Sequence, residues 1–116
     1  VSLARTTDAG IHWSDLPDLA LDNPDAAVAG LGLADGQMLL AHNSSIASRG
    51  TLDLSRSANG RDWTLVNTLE RGGHDDEYSY PAIAWVDGKL WVTYTVDHHR
   101  IAWKRLAAAP LAGAKP

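Results

Sequence analysis

Two different turn-bearing segments each occur twice in this chain at the same spacing, and that coincidence constrains the fold more than any other feature. Thr6-Thr7-Asp8-Ala9-Gly10-Ile11-His12-Trp13 is echoed by Ser57-Ala58-Asn59-Gly60-Arg61-Asp62-Trp63. Leu33-Ala34-Asp35-Gly36-Gln37-Met38-Leu39 is echoed by Trp85-Val86-Asp87-Gly88-Lys89-Leu90-Trp91. Both echoes have a period of about fifty residues, the length of one supersecondary unit in repeat architectures that bury their faces by stacking.

The segments between these turns read as strands. Ile83 to Val86 and Lys89 to Val96 are rich in β-branched and aromatic residues and are joined by Asp87-Gly88, a strong signal for a tight hairpin because both central residues of a type I′ turn need positive φ. Leu31 to Leu33 and Gln37 to His42 repeat the arrangement around Asp35-Gly36. Thr51 to Ser57 pairs with Trp63 to Leu69, Val1 to Arg5 with His12 to Ser14, and Ile101 to Leu106 makes a last strand. Leu16 to Ala29 contains Pro17 and Pro24, which argue for a loop or bulge over a helix.

The fold class expected is therefore all-β, with two to three blades of four-stranded antiparallel sheet forming part of a β-propeller. Residues 1–20 are the second half of one blade, 26–69 a complete blade, 78–106 a last blade lacking one strand, and 107–116 an Ala/Pro/Gly-rich flexible tail. An open final blade invites completion by a strand from upstream of Val1, because propellers leave few edges unpaired.

Composition removes several function classes. The 116 residues carry a formal net charge of -4 with the two signs interspersed, so the basic face expected of a nucleic-acid binder is missing. No apolar run approaches the roughly 18 residues of a membrane span, so no membrane partner is expected. The chain has no Cys, which excludes disulfides and thiolate metal sites. His74-Asp75-Asp76-Glu77 lacks a spacing that converges oxygens on a cation, and adjacent residues in Asp97-His98-His99 point to opposite faces of an extended chain. No metal and no cofactor are expected.

The repeated turn has a local logic. Asp8 or Asn59 bonds the backbone two residues on, Gly10 or Gly60 supplies positive φ, the Thr6 or Ser57 hydroxyl bonds back, and Trp13 or Trp63 covers the turn. Such a turn stabilises a hairpin and performs no chemistry. It resembles the Asp-box of bacterial neuraminidase repeats, with Asn59 replacing Asp and one residue fewer in the second copy. Two further segments sharpen the resemblance. One is Ala41-His42-Asn43-Ser44-Ser45 through Arg49 into Leu52-Asp53-Leu54-Ser55; the other is Glu77-Tyr78-Ser79-Tyr80-Pro81-Ala82-Ile83, followed by Val92-Thr93-Tyr94-Thr95 and Arg100-Ile101. Together these are similar to the C-terminal part of the BNR-repeat sialidase-like family.

The resemblance implies a six-bladed propeller and a sialidase-type site. Sialidases cleave a glycoside whose anomeric carbon bears a carboxylate, and they use a Tyr phenol as nucleophile in place of the usual anion. A carboxylate removes the phenol proton, another acid protonates the leaving group, and three Arg forks hold the substrate carboxylate. Carried over, Tyr78 is the candidate nucleophile and Tyr80, on the same face at strand period two, the competing one. Arg49 is a candidate clamp Arg, Arg100 is either a second substrate contact or an edge charge, and Asn43 either bonds a sugar hydroxyl or ends its strand. Glu77 ranks lower, since alternation sends it to the opposite face.

The function expected is that of the C-terminal part of a sialidase-like glycoside hydrolase acting on a sialoside or other glycan, inactive on its own. A non-catalytic Asp-box propeller binding glycan or protein is a second reading, and another carbohydrate-active chemistry on the same scaffold, such as a polysaccharide lyase, a third. The family favours a secreted or periplasmic setting. Blade faces left uncovered predict self-association.

Overall fold

The computed structural model describes residues 1–107; of the expected tail 107–116, Ala107 instead ends the last strand, and the rest lies outside the described residues. Nine strands run in chain order: β1 (Leu3–Arg5), β2 (Ser14–Leu16), β3 (Ala29–Gly32), β4 (Met38–Asn43), β5 (Thr51–Ser57), β6 (Thr64–Arg71), β7 (Tyr78–Val86), β8 (Lys89–Val96) and β9 (Arg100–Ala107). They form three antiparallel sheets with orders β1-β2, β3-β4-β5-β6 and β7-β8-β9, and no helix occurs among the described residues. The fold is all-β and forms part of a β-propeller.

The first and second turn motifs are built alike. In the first, the Asp8 carboxylate accepts from the Thr6 hydroxyl and the His12 amide, each at 2.9 Å. Gly10 N donates to Thr6 Oγ1 at 2.9 Å, and the Trp13 indole donates to Gly10 O at 3.0 Å. In the second, Asn59 Oδ1 accepts from the amides of Arg61 and Asp62 at 2.9 Å, and Trp63 donates to Gly60 O at 3.2 Å. An amide oxygen thus does what the carboxylate does in the first turn. The extra residue of the first turn puts Ala9 at φ 58° beside Gly10 at 91°, whereas Gly60 alone is left-handed in the second. The turn also reaches further than expected, so β2 starts after Trp13, at Ser14.

The two Asp-Gly turns differ. Asp87 and Gly88 both have positive φ and join directly paired Val86 and Lys89, as a type I′ turn requires. Around Asp35-Gly36 only Gly36 is left-handed. There Gly36 N bonds Leu33 O at 3.0 Å and Leu33 N bonds Gln37 O at 2.7 Å, which makes a three-residue connection.

Sheets two and three pack face to face. Leu39, Ala41, Leu52, Leu54 and Leu69 meet Leu90, Val92, Tyr94 and Val96 in one apolar cluster, all of them buried. Each fully buried Leu or Val contributes about 1.5–3 kcal/mol in apolar burial. The innermost strand of the third sheet, β7, fits this layer through a bulge. Pairing runs Tyr78↔Val96 and Ser79↔Thr95, then resumes at Ala82↔Thr93 and Ile83↔Val92, so Tyr80 and Pro81 together oppose Tyr94. The shift lets Tyr78, Ile83 and Trp85 all pack on the core although strict alternation would separate Tyr78 from the other two. It also removes the simple period that would put Tyr80 on the face of Tyr78. Pro81 is tolerated because a bulged residue needs no ladder donor, and Tyr80 takes φ 51°, at a cost of about 1–3 kcal/mol.

The other face of the second sheet is polar. His42 and Asp53 are cross-strand partners, and His42 Nε2 lies 2.9 Å from Ser55 Oγ. His42, Asp53 and Ser55 are all buried. Burial pushes the His42 imidazole below its ordinary 6.5, and the charge of Asp53 does not reverse this. The unfolded chain therefore binds the proton more readily, so stability is full above about pH 6.5 and declines as pH falls through that value. The melting temperature of the wild type should drop between about pH 7 and 5.5. His42→Gln, which keeps a partner for Ser55 but cannot titrate, should flatten that slope, and an unchanged slope would place the titration elsewhere.

Candidate functional site

Antiparallel topology sorts the connections to two ends of the sheets. The Asp-Gly and Asp-box turns occupy one end. The other end gathers the β4–β5 loop, the β6–β7 loop and the β8–β9 turn, and there the residues singled out for chemistry collect.

Asn43, the last residue of β4, is fully buried. Its Nδ2 lies 2.8 Å from Tyr78 O, 2.9 Å from Thr51 O and 3.3 Å from Arg49 O, so two hydrogens serve three carbonyls. Tyr78 N in turn donates to Arg49 O at 3.0 Å. These bonds bring Asn43, Arg49 and Tyr78 together from three elements. Gly50 makes the approach possible, because a Cβ there would run into the Gly73 carbonyl. Gly72 N also donates to Gly50 O at 2.7 Å, closing the two loops on each other.

The Arg49 guanidinium is half-buried and held on two sides. One terminal nitrogen donates to Glu77 Oε1 at 3.1 Å, the other to Asp25 O at 3.3 Å. The remaining N–H groups of its five have no partner among the described residues. Glu77 is shared: its second oxygen lies 2.9 Å from His98 Nε2, and its backbone N donates to Asp97 Oδ1 at 2.8 Å. Partial burial pushes the Glu77 carboxyl up, but the nearby Ser79 hydroxyl, Arg49 and His98 outweigh it and hold the group below its ordinary value. Asp97 and His98, both at positive φ, form the β8–β9 turn closed by His99 N to Val96 O at 3.0 Å.

Tyr78 packs its ring edge-on against Tyr94, with centroids 6.3 Å apart and planes at 75°. Burial, then the charges of Glu70, Asp76 and Asp97, push its phenol above the ordinary value, and Arg100 acts in the opposite sense. No carboxylate lies at hydrogen-bonding distance from the Tyr78 hydroxyl among the described residues. Tyr94 is the tyrosine that does bond a carboxylate, Glu70 Oε1, which also faces Lys104 Nζ at 3.4 Å. Burial and Glu70 push the Tyr94 phenol strongly up, and the residue is inaccessible to a ligand.

Arg100 opens β9, is exposed and makes no ion pair among the described residues. Tyr80 is exposed on the bulge. The acidic loop divides its work: Asp76 accepts from Gly73 N at 2.5 Å, Glu77 holds Arg49, and exposed Asp75 meets only His74. No group of three or more candidate metal ligands occurs among the described residues, and no helix is long and apolar enough to cross a membrane. From the sequence Glu77 ranks low, His98 enters only as part of a rejected metal motif, Tyr94 only as part of the family resemblance, and Glu70 not at all. Glu77 precedes β7, so strand alternation does not govern where it points, and only the β8–β9 turn brings His98 to it.

Antiparallel sheets of blade size, closed at one end by paired Asp-box turns, define a propeller of the Asp-box class. The chain belongs to the BNR repeat-like domain family, whose model matches residues 1–92. The match takes in both turn motifs, Asn43, Arg49 and Tyr78, and stops short of Arg100. A search of curated proteins finds no match for the chain.

Asn43→Ala should cost about 3 kcal/mol in urea denaturation, because buried carbonyls lose their donor. Hydrogen exchange should rise at Tyr78 and Gly72 ahead of the Asp-box amides. Equal exchange at both ends would mean that Asn43 does not hold the candidate-site end together.

Proposed function

We propose that this chain supplies part of the substrate site of a sialidase-like glycoside hydrolase, of exo-α-sialidase type. The observation that carries the reading is the joining of Arg49 and Tyr78 through a backbone bond of 3.0 Å, with donors of the Arg49 guanidinium left over and the Tyr78 side chain only partly buried. Arg49 would bind the substrate carboxylate through its free N–H groups, since the planar fork matches a carboxylate. Glu77 and Asp25 O fix the fork before ligand arrives, which lowers the ordering cost of binding. Tyr78 would attack the anomeric carbon as its phenol proton passes to a base, while an acid protonates the departing oxygen and water later cleaves the tyrosyl bond. The raised pKa of Tyr78 keeps the phenol protonated at neutral pH, so the step depends on a base brought to it. Arg100 would add positive charge from the β9 end.

A non-catalytic, ligand-binding propeller is the second reading. It is favoured by the engagement of Arg49 with Glu77 and by the acids around Tyr78, which oppose phenolate formation.

The chain alone is expected to show no turnover of a fluorogenic 4-methylumbelliferyl sialoside, yet to bind N-acetylneuraminic acid weakly, shifting the Arg49 side-chain N–H signal in NMR titration. Arg49→Met should weaken the binding. Turnover by the chain alone would overturn its expected inactivity. Binding indifferent to Arg49→Met would overturn the clamp assignment.

The outward face of the third sheet bears on partners. Ile101 is 77 % exposed, Trp103 60 % and Val86 48 %. Trp103 and Trp91 rings lie 5.2 Å apart, with Arg105 over Trp91. A patch of this kind supports self-association of the isolated chain. Sedimentation velocity should show dimers or larger species, reduced by Trp103→Lys; a monomer at all concentrations would contradict it.

A further inference from the structure

The inner strand β7 holds one residue in a conformation that its type disfavours. Tyr80 has φ +51°, in the left-handed region that glycine or asparagine adopts with least strain. Pro81 follows, and its ring narrows further the conformations open to the residue before it. The bulge requires an unpaired residue at this point, but not an aromatic one.

Folding gains little from the ring. Tyr80 is 58 % exposed and is absent from the apolar cluster that takes in Tyr78, Ile83 and Trp85. Its hydroxyl has no hydrogen-bond partner among the described residues. Its neighbour Ser79 is buried to 1 % exposure, so the ring is presented from a well-packed support. Strained backbone persists where it serves a site, and bulges beside sites re-aim a side chain. Tyr80 lies two positions beyond Tyr78 on the strand that begins at the functional end.

We propose that Tyr80 is a ligand-contacting residue: an aromatic platform on which a pyranose ring of the ligand lays its C–H face. The inference rests on the saccharide reading above and adds to it a residue that selects the sugar ring, not its charge. A tyrosine suits that task because its body is apolar and rigid while its tip bonds a hydroxyl. Arg49 recognises an anion and says nothing about the ring that carries it. Tyr80 recognises a ring whether or not it is charged. The assignment also separates the two tyrosines, leaving the nucleophile's role to Tyr78.

The test uses the full chain with Tyr80→Gly, Tyr80→Phe and Arg49→Met. Melting temperature is measured for each, together with NMR titration against N-acetylneuraminic acid and against the uncharged methyl β-galactoside. Tyr80→Gly should leave the melting temperature unchanged or raise it, because glycine accepts the left-handed backbone, while weakening both sugars about fivefold. Tyr80→Phe keeps the ring and should retain most of the affinity. Arg49→Met should weaken the charged sugar alone. A lower melting temperature for Tyr80→Gly would make Tyr80 a folding residue and overturn the proposal, as would unchanged affinity for both sugars. If Tyr80→Gly weakens both sugars while Arg49→Met weakens neither, the carboxylate reading fails and the platform stands. If the wild-type chain binds neither sugar, both fail.

Discussion

A single side-chain amide, fully buried at the end of β4, reaches carbonyls of Arg49, Thr51 and Tyr78. Those carbonyls belong to the loop before β5, to the first residue of β5 and to the start of β7, the last of them 35 residues from Asn43. An extended chain entering a sheet has backbone groups that must be bonded once water is excluded. At the Asp-box end, side chains within each turn do this locally. At the opposite end the bonding is between segments, so the positions of Arg49 and Tyr78 are consequences of one buried polar junction. Gly50 is part of the same constraint, because without room for the Gly73 carbonyl the junction could not close.

This contrast explains how much was legible in the sequence. The strands, the hairpin at Asp87-Gly88 and both Asp-box turns follow from residues within a few positions of one another, and reading along the chain finds them. Only the likeness to a family draws attention to Arg49 and Tyr78 in the sequence, and it gives no account of what joins the two. The sequence leaves Asn43 as either a sugar contact or a strand end; in the structure it ends β4 and its donors are occupied by backbone carbonyls. The Asp35-Gly36 connection shows that even a local signal underdetermines geometry: one more residue between the paired positions turns a two-residue turn into a three-residue one. The bulge at Tyr80 and Pro81 was hidden for a different reason. It exists so that Tyr78 and Trp85 can share a core face, and that demand comes from the sheet packed opposite.

Glu77 illustrates a limit of periodicity. Strand alternation predicts facing only for residues inside a ladder, and Glu77 stands before the first ladder pair of β7. Its direction is set by what it bonds: Arg49 on one oxygen, His98 on the other. His98 reaches it because the β8–β9 turn puts Asp97 and His98 at φ 50° and 57°, a conformation that asparagine and glycine adopt more readily. Asp97 offsets part of that strain by accepting the Glu77 amide. The turn and the carboxylate thus stabilise each other, and neither residue's place can be read without the other's.

The two tyrosines at this end separate position from reactivity. Tyr94 has what a reactive phenol needs, a carboxylate in contact, but it is sealed in the core with Lys104 behind that carboxylate. Tyr78 is only partly buried, and the carboxylates around it act at a distance. A negative charge that accepts no proton makes the phenolate harder to form. The same Glu70 therefore anchors Tyr94 and restrains Tyr78. Under the proposed sialidase reading, the Asn43 junction positions the Tyr78 backbone, and a base that activates the phenol would have to approach closely enough to accept a hydrogen bond. Placement is a property of the fold, whereas activation requires a contact that the fold of these residues leaves open.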